Sequence, residues 1–288
     1  MFESLGVIGL PLIAALLHPV LGRSIQRGTR DGVGLSVLVG MANVFTAVVF
    51  LLYLRPDLSA SWSWLDALAL ANGVLFFFGQ YFSIRSMKAG DIVVHSSALG
   101  FKILVVALCA LAVGLEGGRP YLLPAAVLAC VSVFLVAGGN LAGWREHRIT
   151  VGLTLLACLF FGVNDFFTGW RASELGSARW LSLMMGASAI MSLGLLASRR
   201  GAIAALTAGQ WKWIPAVGLT LGVQALLVNI AFSHFKEPTL SNVAYSTRGL
   251  IAVAFLYVLG ERKRGLTLVK QIVGAVLMLL ALYLALIG

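Results

Sequence analysis

The stretch SNVAYSTRGLIAVAFLYVLGERKR places an arginine where a lipid-compatible residue is expected. Arg248 lies near the middle of about 20 apolar residues, where a charge costs at least about 2.5 kcal/mol in a membrane helix. Such a charge needs a carboxylate partner or a bound anion. Arginine suits the second role, because its planar guanidinium can donate two parallel hydrogen bonds to a carboxylate or a phosphate.

Further polar residues accompany Arg248 and a second intramembrane cation, Lys102. Asp165, within FFGVNDFFTGW, is the acidic residue that lies clearly inside an apolar run. Two cations against one carboxylate predict a cavity that binds the anionic group of a substrate. Helical spacing and position in the apolar runs select the candidate lining residues, which are Arg248, Lys102, Tyr245, Ser241, Asn242, His95, Gln80 and Gln224.

Asp165 has two alternative roles. As a titrating group it is a candidate for proton coupling. Alternatively it pairs with Arg248 and holds two parts of the membrane domain together, in which case the arginine has no role in substrate binding.

The composition sets the class of protein. Of the 288 residues, 60% are hydrophobic and only 11% are charged, and the mean hydropathy of +0.96 is too high for a soluble domain. The net charge of +10 does not indicate nucleic-acid binding, because the basic residues form short clusters between apolar runs. We therefore expect a multi-pass protein of the cell (inner or plasma) membrane, whose partners are the lipid bilayer and a small-molecule substrate.

Ten apolar runs are long enough to cross a bilayer as helices, and they lack the alternation of a transmembrane strand. The sequence therefore predicts an all-α fold. The runs lie near 5 to 22, 33 to 54, 65 to 84, 92 to 115, 121 to 141, 150 to 170, 179 to 197, 213 to 234, 239 to 259 and 266 to 287.

The basic residues predict the orientation. With the N-terminus outside, 14 of the 21 basic residues fall in connections on the cytoplasmic side and five on the opposite side, as the positive-inside rule favours. The exceptions on the opposite side are Arg55, Arg119, Arg171, Arg179 and Lys236. Charge therefore favours both termini outside.

An internal repeat divides the chain into halves, 1–145 and 146–288. The fourth run ends with LCALAVGLEGGRP and the ninth with AFLYVLGERKR, so each ends on a Gly/Leu pair, a glutamate and then basic residues. The segments RSMKAGD and SHFKEPT precede these two runs. An odd number of spans in each half inverts the second half relative to the first. Inverted repeats are typical of secondary transporters, whose substrate site lies near the midplane between the repeats.

Three features together resemble the drug/metabolite transporter (DMT) superfamily, EamA-type. They are the ten spans, the Gly90–Asp91 pair just before the fourth span, and the glutamates Glu116 and Glu261 at the ends of the fourth and ninth spans. The resemblance covers essentially the whole chain, although His18 and Pro19 stand where the family often has Trp-Gly. It implies a ten-helix basket around a central cavity, alternating access and cytoplasmic termini. The last point is opposite to the orientation that the charges favour.

The predicted function is secondary active transport of a small polar metabolite that carries a carboxylate or phosphate, such as an amino acid or organic anion. A flippase for a lipid-linked or phosphate-headed lipid is the alternative, because it would use the same cations. A channel fits less well, since no repeated pore loop is visible. We do not expect an enzyme or a cofactor, because the sequence lacks HExxH, GxSxG, P-loop and GxGxxG motifs. We do not expect a metal site, because Cys109, Cys130 and Cys158 do not have the close spacing of metal-binding cysteine pairs.

Overall fold

The computed structural model describes residues 2–57, 59–89, 94–95, 98–115, 120–139, 141–258 and 266–287, and its regular structure within these ranges is helical throughout. Apolar runs fold as helices in lipid because a helix satisfies its own backbone N–H and C=O groups. The main helices are α1 Phe2–Arg30, α2 Leu35–Leu54, α3 Trp64–Ala89, α4 Lys102–Ala112, α5 Leu122–Val136, α6 Arg148–Leu175, α7 Ser177–Ala197, α8 Trp213–Phe235, α9 Pro238–Ser246, α10 Arg248–Val258 and α11 Leu266–Ile287.

Shorter elements complete the chain. A 3-10 turn, Leu99–Phe101, directly precedes α4. Short helices lie before α6, at Leu141–Glu146, and between α7 and α8, at Arg200–Ala204 and Ala208–Trp211.

Several helices have the length and composition of membrane spans. Within the described ranges there are seven, at Gly6–Arg30, Leu35–Leu54, Trp64–Ser86, Arg148–Leu175, Ser177–Ala197, Ala208–Phe235 and Leu266–Ile287. The predicted all-α, multi-pass membrane protein is thereby confirmed. The other three predicted spans coincide with shorter pieces, namely Leu99–Ala112, Leu122–Val136, and the pair formed by α9 and α10.

The distribution of polar and apolar side chains suits a bilayer. Helix α11 exposes Ile272, Val276 and Leu279 over more than half of their surface. Polar residues lie inside instead, and Asn72 of α3 and Asn164 of α6 each donate an amide hydrogen bond to the other's helix, Asn72 to the carbonyl of Asn164 at 3.2 Å and Asn164 to that of Asn72 at 3.0 Å. Amides between helices act as interhelical glue where no water competes.

The two halves of the chain pack together extensively. The most extensive helix pairs are α3 with α6, α5 with α11, α1 with α8, α2 with α8, α2 with α7, α3 with α7, and α4 with α6. One buried apolar cluster combines Phe50 and Phe76 of the first half with Trp180 and Met184 of the second. This cluster is therefore shared between the two halves.

Glycine allows the closest of these helix contacts. A Cβ at Gly73 of α3 would collide with the backbone oxygen of Met184 in α7. A Cβ at Gly274 of α11 would lie 2.9 Å from the backbone oxygen of Ser132 in α5. Small residues at such crossings bring helix backbones together and increase dispersion contacts, which drive helix association in lipid.

Candidate functional site

A cavity of about 520 Å³ lies between helices from both halves. Gln26 and Thr29, exposed at the end of α1, mark its mouth, and His18 lies about two to three turns deeper on the same helix. Most of the wall is apolar, with Leu21 and Leu221 as examples. The polar residues that line the interior are His18, Gln80, Ser83, His95, Gln224, Tyr245 and Arg248.

Arg248 lines this cavity from the first position of α10. Its guanidinium carbon lies 4.3 Å from the centre of the Tyr245 ring, a distance typical of a cation–π contact. No Asp or Glu of the described residues forms an ion pair with it. The guanidinium therefore keeps hydrogen-bonding capacity for an anion in the cavity.

A short break at Thr247 lies between α9 and α10, where the backbone N–H of Thr247 donates to the carbonyl of Ala244 while the backbone conformation stays helical. The hydroxyl of Ser246 donates to the carbonyl of Asn242 at 2.7 Å, and that of Thr247 donates to the carbonyl of Ala244 at 2.8 Å. Such hydroxyl-to-carbonyl bonds compete with the helix ladder and bend helices. The dipeptide Ser-Thr thus separates the buried α9 from the segment that begins with the arginine.

Tyr245 is fixed in place by Gln224 of α8. The side-chain amide of Gln224 donates to the Tyr245 hydroxyl at 2.6 Å and also lies 3.2 Å from the carbonyl of Ala14 in α1. The same amide nitrogen is 3.4 Å from Nδ1 of His18. One amide therefore links α1, α8 and α9 and orients the ring on which Arg248 stacks.

Lys102 and Asp165 form a buried ion pair outside the cavity lining. The Lys102 ammonium lies 2.7 Å from Oδ2 of Asp165, and both side chains are about nine-tenths buried. Lys102 begins α4 after the 3-10 turn, much as Arg248 begins α10 after the break at Thr247. The carboxylate that sequence analysis assigned either to Arg248 or to a proton is therefore paired with Lys102.

His95 lies in a hydroxyl network on the cavity wall. Its Nδ1 is 3.0 Å from both Ser86 Oγ and Thr154 Oγ1, and its Nε2 is 3.4 Å from Ser83 Oγ. The imidazole is buried, and neighbouring helices supply these partners. The network holds the ring with one edge towards the cavity residue Ser83.

The structure separates the predicted site residues into two groups. Arg248, Tyr245, His95, Gln80 and Gln224 line the cavity together, whereas Lys102, Asp165, Ser241 and Asn242 do not belong to its lining.

The second group is buried between helices. The Ser241 hydroxyl donates to the carbonyl of Val7 at 3.3 Å, and the Asn242 amide donates to that of Pro238 at 2.9 Å. Lys102 and Asp165 are occupied by each other. The motif residues Gly90, Asp91, Glu116 and Glu261 lie outside the described residues.

Sequence analysis missed a second buried ion pair, between Arg179 and Asp66. Arg179 Nε donates to Asp66 Oδ1 at 2.6 Å, and the backbone N–H of Ser63 donates to Oδ2 at 2.7 Å. The tetrapeptide SWLD, residues 63–66, carries the signal, because serine followed three residues later by an acid is a helix-start motif. In that motif Ser63 donates to Oδ2 of Asp66, and Arg179 donates to the other carboxylate oxygen, Oδ1.

His18 is also a cavity residue that the sequence did not single out. It was noted only as a departure from the pattern of the resembled family. Its position one residue before Pro19 in an apolar run gave no signal of its own. Among the described residues, no group of three or more His, Cys, Asp and Glu side chains could hold a metal ion.

Comparison with known proteins gives a fold and no family. No protein-family model matches the chain, and no curated protein matches it. A solved structure described as "Crystal structure of protein" is similar in fold, with a TM-score of 0.69 over 97% of this chain and 96% of that chain. The sequences are 14% identical, so the likeness concerns the fold alone.

Proposed function

We propose that this protein is a secondary active transporter of the cell membrane that carries a small organic anion by alternating access. The observation that carries the proposal is Arg248, a cation inside a largely apolar membrane cavity with no carboxylate partner among the described residues. A charge in that setting is expected to be matched by a ligand. The cavity volume of about 520 Å³ lies within the usual range for small-molecule sites.

We infer ten membrane crossings in two inverted repeats, 1–145 and 146–288. If the repeats are equivalent, each helix of the first half has a counterpart in the second, and exchanging helices for their counterparts should turn one observed contact into another observed contact. The counterparts are α1 and α6, α2 and α7, α3 and α8, α4 and the α9–α10 pair, and α5 and α11. That exchange converts the contact of α3 with α6 into that of α8 with α1. It likewise converts the contact of α2 with α8 into that of α7 with α3.

Further pairs fit the same exchange. The contacts of α2 with α7 and of α5 with α11 are each converted into themselves. The contact of α4 with α6 becomes the contact of the α9–α10 pair with α1, which is also present. In repeat-built transporters the substrate binds between such halves, near helices that are interrupted.

The cavity mouth and the clustered positive charge lie on the same side. Gln210, in the connection between α7 and α8, donates to the carbonyl of Asp31 at 2.7 Å, directly after the end of α1. Arg27 and Arg30 lie in the last turn of α1, and Arg199 and Arg200 lie in the connection between α7 and α8. By the positive-inside rule this side is cytoplasmic, and the described conformation is then open to the cytoplasm.

Transport by proteoliposomes tests the function. The full chain would be reconstituted, and uptake of radiolabelled monocarboxylates, amino acids and phosphorylated metabolites would be measured with and without a proton gradient. We expect saturable uptake of at least one anion by the wild type. Arg248→Leu should abolish it, and Arg248→Lys should retain part of it, because the charge remains while the two-pronged hydrogen bonding is lost.

Arg171→Leu is the matched control. Arg171 also lies over an aromatic ring, 3.8 Å from the centre of Trp170, but it does not belong to the cavity lining. Its partner is the partly exposed Glu174 at 2.7 Å. Normal uptake by Arg248→Leu, or equal loss in both variants, would refute the proposed role of the arginine.

A further inference from the structure

We propose that the transported anion is an organic monocarboxylate with an apolar body and without an ammonium group. This inference rests on the proposed transport function and specifies the substrate of the same cavity. It separates simple carboxylic acids from amino acids and from phosphorylated metabolites, which the buried cations alone do not distinguish.

The number of charges that the cavity can match supports a single negative charge. Of the two intramembrane cations, Lys102 is already paired with Asp165 at 2.7 Å and does not belong to the lining. Among the described lining residues, Arg248 is the one Lys or Arg, and the other basic side chains are His18 and His95. One guanidinium matches one carboxylate in a bidentate pair, whereas a doubly charged phosphate would keep an uncompensated charge.

The surroundings of Arg248 disfavour an ammonium group. None of the described lining residues is acidic, and the carboxylate of Asp165 is engaged by Lys102. Of the two aromatic rings in the described lining, Tyr245 and Phe161, the one that contacts Arg248 is Tyr245. That ring already has the Arg248 guanidinium at 4.3 Å and the Lys102 ammonium at 5.7 Å. The α-ammonium of an amino acid would therefore lose its hydration without gaining a charged partner.

The remaining wall fits an apolar body. More than half of the lining residues are apolar, for example Leu21, Ile25, Val39, Phe161 and Leu221. Such a surface stabilises an apolar group by about 25 cal/mol for each Å² removed from water.

Four probes test the inference, of which the first three differ by one feature and the fourth is a lipid. The purified full chain in detergent is titrated with 3-phenylpropanoate, with L-phenylalanine, with 3-phenylpropanamide and with a short-chain phosphatidic acid, and Tm and Kd are measured. Phenylalanine adds the ammonium group, the amide removes the charge, and phosphatidic acid represents a lipid source of the anion. We expect 3-phenylpropanoate to raise the Tm and to bind at least about tenfold more tightly than the other three.

The same titrations on variants locate the binding. Arg248→Leu should lose the 3-phenylpropanoate response, Arg248→Lys should retain part of it, and Arg171→Leu should behave as the wild type. A folded Arg248→Leu protein that binds the carboxylate normally overturns the inference. The Arg248→Lys variant provides the comparison if the leucine variant does not fold.

The outcomes distinguish this inference from the proposed function. Equal or tighter binding of phenylalanine, with loss in Arg248→Leu, overturns the monocarboxylate class and leaves anion transport standing. Tighter binding of phosphatidic acid overturns it in favour of a lipid. Binding of none of the probes also overturns it, and the proteoliposome assay then decides separately whether another anion is transported through Arg248.

Discussion

The ammonium nitrogen of Lys102 lies 2.7 Å from Oδ2 of Asp165, and the two residues come from α4 and α6, which pack together. This pair neutralises two charges that would each be costly alone in the membrane. It also leaves Arg248 to face the cavity without that carboxylate. The pair is therefore expected to contribute to stability, and Arg248 to ligand binding.

Breaking the ion pair tests that division. Lys102→Met should lower the free energy of unfolding by about 3–5 kcal/mol, because it leaves a buried carboxylate without a partner. The double variant Lys102→Met/Asp165→Leu should recover most of the loss, since no buried charge then remains. Thermal melts in detergent provide the measurement. A double variant as unstable as the single one would show that the pair does not explain the stability of this region.

Tyr245 should act through its ring more than through its hydroxyl. Tyr245→Phe keeps the face over which Arg248 lies and removes only the acceptor of the Gln224 hydrogen bond at 2.6 Å. Tyr245→Leu removes the ring and with it a cation–π contact of about 0.5–2 kcal/mol. We expect a larger rise in the Kd for the anion with leucine than with phenylalanine. Equal Kd values for the two variants would contradict an orienting role of the ring.

Gly73 should be intolerant of a side chain. Gly73→Ala places a Cβ against the backbone oxygen of Met184 and should cost about 1–3 kcal/mol of stability, because neither backbone can yield without moving a helix. The control is Gly186→Ala in α7, where a new Cβ meets nothing within 4 Å. That substitution should leave the Tm unchanged or raise it, since alanine favours helix over glycine. Equal Tm values for both variants would contradict the close crossing.

The orientation is testable by cysteine labelling in intact cells. Gly201→Cys lies in an exposed short helix between α7 and α8, and Ser61→Cys lies in the exposed connection between α2 and α3. A membrane-impermeant maleimide should label position 61 from outside and position 201 only after the cells are opened. The native Cys130 and Cys158 are buried and should react little. The reverse pattern would place the cavity mouth outside and support the orientation that the family resemblance implies.

The sequence by itself determined the features that depend on local composition. A bilayer requires about 20 apolar residues in each crossing, so the position of a helix follows from the run that forms it. The predicted run 266 to 287 coincides with α11, and 179 to 197 with α7 to within two residues. The break before Arg248 was not predicted, although Ser246 and Thr247 carry the chemistry for it. Helix propensity alone does not decide which carbonyl a hydroxyl selects.

Only the tertiary structure decided how the buried charges are distributed. Arg248, Lys102 and Asp165 were all identified as intramembrane charges, but spacing along the chain cannot rank the two cations as partners of one carboxylate. Lys102 and Asp165 are 63 residues apart and meet because α4 packs on α6. Arg179 and Asp66 meet over 113 residues for the corresponding reason in α7 and α3. Charge pairing in lipid depends on distances of a few ångströms between helices, and those distances are set by packing of the whole bundle.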